Sequence, residues 1–269
     1  MDNGKVAQET VLMERRGDIL LVTLNRPAQR NAVDSPTAVK LAAVFVDFER
    51  DERLKVAVLT GSGGHFCAGA DLKAIGAAAF AELPQLPAQP EPLNASGPMG
   101  PSYLQLTKPV IAAVEGYAVA GGLELACWCD LRVAAEDATF GVFCRRWGVP
   151  LIDGGTVRLP RLIGQSRALD MVLTGRPVGA REAEQFGLAN RVVESGSALR
   201  AAIELAGQLA LFPQLCLRND RLSVLQQWGM NGAEALANEN RLGRATFASG
   251  ETSLGAQQFA GGAGRGGKF

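Results

Sequence analysis

Apolar positions recur along the chain in two rhythms. TVLMER (10–15) and ILLVTLN (19–25) flank Gly17-Asp18, the pattern of a hairpin of β-rich strands. After Ser35-Pro36, a helix start signal, Val39, Ala42, Ala43, Val46 and Phe48 fall at roughly helical spacing. VAVLTG (56–61), PVIAAVEG (109–116) and LRVAAE (131–136) are short continuous apolar runs, which predict strands buried on both faces. Residues 84–101 are too rich in proline for regular structure and predict a loop beside a site, or a mobile flap. Beyond Pro160 the pattern turns helical, with pieces near 165–173, 179–186, 196–210, 214–228 and 231–248, and the chain closes on the glycine-rich, basic GGAGRGGKF.

Composition narrows the class. A chain of 269 residues, 47% of them hydrophobic, can bury a large core, and no eighteen-residue apolar run predicts a membrane span. Lys plus Arg equals Asp plus Glu at 27 each, so no global basic field argues for nucleic acid, and an anionic ligand must be held by local groups. The five cysteines are an odd number without zinc-like spacing, and Cys127 and Cys129 are too close for an ordinary bridge; they read as reduced core residues. Met1 to Thr10 lacks the basic start and apolar stretch of a signal peptide, so the expected location is the cytoplasm.

Two glycine-rich strand ends carry the chemistry. In GSGGHFCAGADL (61–72), small residues surround Ala68, Gly69 and Ala70, and Asp71 stands where a helix could begin. In GYAVAGGLELA (116–126), Gly121-Gly122 precedes a helical run, whose first N–H groups lack helical partners. Each loop alone reads equally as a tight turn; side by side, they could aim two N–H donors at one oxygen, as oxyanion stabilisation requires. The lone His65 comes without a nucleophile-elbow sequence, and GSGG (61–64) lacks the Gly-Lys-Ser/Thr ending of a phosphate loop.

With VTLNRPAQRNAV (22–33), FCAGADL (66–72), KPVIAAVEGYAVAGGLELACWCD (108–130), GGTVRLPRLIG (154–164), LTGRPVGAREAEQFGLANRVV (173–193) and FAGGAGRGGKF (259–269), nearly the whole chain resembles the crotonase, or enoyl-CoA hydratase/isomerase, superfamily. The resemblance implies an α/β fold: a crotonase-like spiral of ββα units over residues 1–195, then a helical trimerisation region and CoA-covering tail over 196–269. It implies an acyl-CoA thioester substrate, coenzyme A entering only as part of that substrate, and a homotrimer or homohexamer. By position, Ala68 and Gly121 match the family's two oxyanion donors. Arg26, Ala28, Arg30, Ala70, Asp71 and Leu72 fall where the family cradles CoA, and Lys268 and Phe269 resemble residues that close over a nucleotide.

Family hydratases pair two glutamates. Glu124 matches the first, whereas Cys144 stands at the position of the second. A thiol titrating near ~8.5, higher when buried, is a reluctant acid, so Cys144 reads either as a poor proton donor or as a filler of the acyl pocket. Asp153 lies near where some isomerases and hydrolases of the family carry a functional aspartate, and reads equally as an N-cap of the helix after Gly-Gly-Thr. One of Arg145 and Arg146 is expected to pair with Asp153 or Glu124, and Cys127-Trp128-Cys129 to be packing. The expectation is an enoyl-CoA hydratase or isomerase working through an oxyanion-stabilised enolate. The alternatives are another crotonase chemistry, isomerase, hydrolase or lyase, and a non-catalytic acyl-CoA-binding scaffold.

Overall fold

The computed structural model describes residues 9–74, 92–93 and 96–265. The tail residues Lys268 and Phe269 and most of the Pro-rich run lie outside them. β1 (Val11–Arg16) and β2 (Ile19–Leu24) form the expected antiparallel hairpin. α1 (Ser35–Arg50) follows, with the Asp34 side chain accepting a hydrogen bond from Thr37 N–H at its start. Next come β3 (Val56–Gly61) and the short turn α2 (Leu72–Ala74), then β4 (Val110–Val114), β5 (Tyr117–Val119), α3 (Gly121–Trp128), β6 (Leu131–Ala135) and β7 (Thr139–Gly141). α4 (Gly155–Ile163), α5 (Gln165–Thr174), β8 (Val178–Gly179), α6 (Ala180–Phe186) and β9 (Arg191–Val193) complete the core path. The chain then runs through α7 (Ala198–Leu211), α8 (Gln214–Gln226), α9 (Gly232–Ala248) and α10 (Glu251–Ala260).

Six strands form one sheet in the order β1-β2-β3-β4-β6-β9, parallel after the first hairpin, and β5-β7-β8 form a second, smaller sheet. The chain alternates between them: β4 in the large sheet, β5 in the small one, then α3; β6, then β7, then α4. This is the ββα spiral.

Because successive strand residues face opposite sides, the continuous apolar runs supply two cores. Val22, Leu24, Leu59, Ala112 and Val114 face α1 and α3, where Phe45, Phe48, Leu123 and Leu125 fill the space. Ile19, Leu21, Val56, Val58, Ile111, Ala113 and Val133 face the other way, onto Ala198, Ala202, Leu205 and Ala206 of α7. α7, the first helix beyond residue 196, packs on the large sheet and covers this face. Without α7 that face would be bare hydrocarbon.

The cysteine triplet is packing, as its sequence suggests. Cys127 and Cys129 are buried, and between them the Trp128 ring meets Phe45 edge-on at 4.8 Å and donates from Nε1 to the Leu104 carbonyl at 3.0 Å. Among the described residues the cysteines are free thiols.

The alanine face of α7 sets how closely it approaches the sheet. Ala202 is 0% exposed, so Ala202→Leu forces extra atoms into a filled space and should destabilise the fold by about 1–3 kcal/mol. Urea denaturation measures this; an unchanged midpoint at unchanged slope would show that α7 is not packed as described.

Candidate active site

Two short connections approach each other beside the second sheet. Segment 66–71 runs between residues 31–33 on one edge and β5 on the other. Val33 N–H donates to the Gly69 carbonyl and Asp71 N–H to the Val33 carbonyl, both at 2.8 Å. On the β5 edge Cys67 N–H donates to Tyr117 O at 2.8 Å and Val119 N–H to Cys67 O at 3.1 Å. With Gly69 C=O and Asp71 N–H turned toward Val33, the N–H of Ala70 between them points to the opposite edge. On that edge lies Gly121: a Cβ built on Gly69 would stand 2.9 Å from Gly121 N. Among the described residues neither Ala70 N–H nor Gly121 N–H donates a hydrogen bond.

The Ala68 N–H, expected as an oxyanion donor, is not open in this structure. It is spent on the Arg30 carbonyl at 3.0 Å. The open donor is Ala70, which the sequence reading assigned to the CoA cradle. The turn from β5 into α3 is itself strained, for Ala120 sits at φ 54° without being glycine.

Glu124 occupies the first turn of α3 with 2% exposure. One oxygen, Oε1, accepts from Asp153 N–H at 2.9 Å and from Gly155 N–H at 2.8 Å, the two donors coming from the turn that opens α4. Gly155 allows this approach, since a Cβ there would lie 2.8 Å from Oε1. Oε2 makes no hydrogen bond among the described residues. Burial first, and the neighbouring Asp153 charge second, push the Glu124 pKa up to about 7, against the pull of the two N–H groups and of Arg158.

Asp153 does not cap α4. The N-cap residue is Gly154, with no side-chain cap bond, and the Asp153 carboxyl turns the other way. Its Oδ1 accepts from Met99 N–H at 2.9 Å and from the Ser102 hydroxyl, deep enough that burial raises its pKa from the ordinary aspartate value. Met99, 1% exposed, fills the space against Gly121, where a Cβ would meet its Sδ at 2.7 Å.

Cys144 lies buried in a 3-10 turn, Phe143–Trp147, close enough to Glu124 that the carboxylate, after burial, raises its thiol pKa. Neither arginine beside it reaches a site carboxylate. Arg145 Nε donates to Val172 O at 3.1 Å, and Arg146 Nη2 to Gly175 O at 2.9 Å over the Phe143 ring. The basic partner comes instead from α4: Arg158.

The residues expected to hold CoA divide in two. Arg26 Nη2 lies 2.9 Å from both Asp34 Oδ2 and Asp71 Oδ2, and its Nη1 donates to Ala32 O, so its charge is used inside the protein. Asp71 is committed as well, its Oδ1 accepting from Lys73 N–H at 3.1 Å. Arg30, by contrast, is exposed, makes no ion pair among the described residues, and lies over the Tyr117 ring at 5.2 Å. Ala28 and Leu72 are exposed on the same two loops. His65 stacks on Tyr117 and its Nδ1 accepts from Tyr117 N–H at 3.4 Å.

Met99, Ser102 and Arg158 are absent from the sequence reading. Arg158 had one usable signal, its place one helical turn after Gly154 at the turn that opens α4; Met99 lies in the Pro-rich run expected as a loop beside a site, and Ser102 follows it, without a signal for either side chain.

The fold and this pair of loops belong to a known class. The enoyl-CoA hydratase/isomerase family model matches residues 14–262. The chain belongs to this family, the crotonases, and is a hydratase-type enzyme acting on acyl-CoA thioesters. Enoyl-CoA hydratase EchA19 of Mycobacterium tuberculosis is 38% identical to it over 256 residues, 93% of this chain and 92% of that protein. Carnitinyl-CoA dehydratase of Escherichia coli K12 is 41% identical over 203 residues, 75% of this chain and 74% of its own. The crystal structure of enoyl-CoA hydratase EchA1 from Mycobacterium marinum superposes with a TM-score of 0.84 at 35% identity, covering 93% of this chain and 95% of that one.

The raised Glu124 pKa has a sign in stability. The folded state holds this proton more tightly than a free glutamate at 4.5 does, so the stabilisation is fully present below pH 4.5 and is lost as pH rises through about 7. Between pH 5 and pH 8 the wild type should lose about 2–3 kcal/mol more than Glu124→Gln. Parallel losses in urea titrations at the two pH values would mean that Glu124 is not the group that titrates.

Proposed function

We propose that the chain adds water across the 2,3 double bond of an enoyl-CoA thioester, or removes it in reverse, with Glu124 as the single proton carrier. The observation that carries the reading is the Glu124 carboxylate itself: one oxygen pinned by two main-chain N–H groups, the other unbonded, with a pKa of about 7. Such a group exchanges a proton readily in either direction near neutral pH.

In the proposed step, Ala70 N–H and Gly121 N–H bind the thioester oxygen and stabilise the enolate as charge moves onto it. Ionised Glu124 takes a proton from water as the hydroxyl bonds to C3, and the glutamic acid so formed returns that proton to C2. Hydroxyl and hydrogen end on adjacent carbons, the π bond is consumed, and Glu124 is regenerated. Cys144, its thiol pKa raised by burial, is a wall residue of the acyl pocket in this reading. Asp153 is the second buried carboxylate; its charge raises the affinity of Glu124 for the proton. The naming of similar proteins as hydratase and dehydratase supports a hydro-lyase over an isomerase.

The assembly proposed is a homotrimer or homohexamer. Trp228, Leu225, Leu236, Phe247 and Phe259 on and around α8 to α10 are exposed apolar side chains that a second subunit would cover. No helix among the described residues is long and apolar enough to cross a membrane. A cytoplasmic location remains the proposal from the sequence, as does closure of Lys268 over the nucleotide.

With crotonyl-CoA as probe, Glu124→Gln should lose at least about a hundredfold in kcat, and Ala70→Pro, which deletes a donor, a comparable factor. Ala68→Pro would break the bond to Arg30 and tests stability more than chemistry. Wild-type turnover by folded Glu124→Gln, measured by loss of the enoyl absorbance, would exclude the mechanism.

For binding, Arg30→Ala should weaken intact CoA thioesters several-fold while sparing pantetheine analogues, which lack the nucleotide phosphates. Arg26→Ala should act on thermal stability instead. Equal weakening of both ligands by Arg30→Ala, read by calorimetry, would move the nucleotide elsewhere.

A further inference from the structure

Among the described residues Arg158 is the one cationic side chain acting on both carboxylates, and it bonds to neither carboxyl group. Its Nη1 donates to the main-chain carbonyl of Asp153 at 2.9 Å and its Nη2 to that of Ser102 at 2.6 Å. Each of these residues does a second job. Asp153 presents its N–H to Glu124 Oε1, and Ser102 presents its hydroxyl to Asp153 Oδ1. The guanidinium fork thus staples two chain segments, 99–103 and 152–155, that hold the carboxylates. Tyr103 adds a parallel tie through its hydroxyl to the Ile152 carbonyl. Gly154 makes the geometry possible, for a Cβ there would come within 2.1 Å of Arg158 Nη1.

We propose that Arg158 is the positioning residue of this active site: it fixes the Asp153 N–H on Glu124 and the Ser102 hydroxyl on Asp153, and sets one positive charge beside two buried carboxylates. The inference rests on the reading of Glu124 as proton carrier. A planar guanidinium holds the two carbonyls at the fixed spacing of its Nη1 and Nη2, a geometry that an ammonium, a compact charge on a flexible stem, does not reproduce. Geometry and charge are therefore separable by substitution. The groups that face Glu124 are Asp153 and Arg158 from the α4 turn, Tyr103 from the 99–103 segment, Cys144 from the 3-10 turn and Cys127 from its own helix. Arg158 is the one cation among them. Its loss should make ionised Glu124 harder to form, whereas Arg158→Lys, if the charge stays in place, should not.

The experiment compares wild type, Arg158→Lys, Arg158→Met and Glu124→Gln. Two readings are taken from each: the infrared titration of the protonated carboxyl band, with Glu124→Gln subtracted, and the pH profile of crotonyl-CoA hydration. In Arg158→Met the Glu124 titration and the acidic limb of kcat should both move up by about one pH unit. In Arg158→Lys the limb should stay, while kcat falls roughly ten- to a hundredfold from misplacement with KM nearly unchanged. A purely structural arginine would lower the melting temperature of both variants and move neither titration. If folded Arg158→Met titrates at the wild-type pH, or Arg158→Lys turns over at the wild-type rate, the proposal is overturned. Should Arg158→Met not fold, the Arg158→Lys rate decides alone. An active Glu124→Gln would sink the proton-carrier reading instead, which separates the two failures.

Discussion

A carboxylate taken out of water must find hydrogen bonds or give up its charge, and the architecture of this site follows from how Glu124 meets that demand. Its Oε1 is satisfied by the N–H groups of Asp153 and Gly155, which belong to a different element from the helix that carries it. That single junction joins α3 to the start of α4. It also requires glycine at 155, since any side chain would strike the carboxylate. Two N–H donors favour the ionised form and burial disfavours it. Their opposition leaves a pKa of about 7, where the group can both accept and return a proton.

The second constraint is where backbone donors remain free. The edge along residues 30–33 consumes the donors of Ala68 and Asp71, and the parallel bridge between Val33 and Ala70 turns the Ala70 N–H to the other side. Gly121, at the first turn of α3, has no intrahelical partner, as at any helix start, and no side chain caps it. The two open donors come together because Cys67 pairs with β5 immediately before the chain enters α3. The oxyanion site proposed here is therefore a by-product of pairing register, stabilised by the same hydrogen bonds that hold the loops.

Where the family resemblance leads one to expect a second glutamate, this chain carries Cys144, and the second buried carboxylate comes from Asp153 on the following turn. The two positions are not equivalent. Asp153 has one oxygen held by Met99 N–H and the Ser102 hydroxyl, so it is anchored to the segment that ends the Pro-rich run. Its nearness raises the proton affinity of Glu124. A single-carrier mechanism fits that arrangement, and the arginine that balances it, Arg158, arrives from α4 rather than from the Arg145-Arg146 pair beside the cysteine.

The first hairpin, β3, β4, β6, α1 and most later helices were legible in the chain because their signals are local: apolar runs of strand length, a Ser-Pro helix start, glycines at the ends; the short strands β5, β7, β8 and β9, two or three residues each, carry no such run. Glu124 and Gly121 were legible for the same reason, as residues of one helix start whose wording resembles the family. What the sequence alone could not decide was which groups are left over once the chain has paired with itself. Ala68 and Ala70 are both small residues in one loop, and only the pairing with residues 30–33 determines which N–H is spent. Arg26 reads as a ligand-binding cation until Asp34 and Asp71, the latter 45 positions away, are seen to hold it. Asp153 could cap a helix or face a site, and the choice depended on Met99 and Ser102, more than 50 positions earlier. Hydrogen-bond partners at such separations have no periodicity to betray them, so the identity of the elements was written locally while the assignment of free donors, spent charges and buried carboxylates was made by tertiary contact.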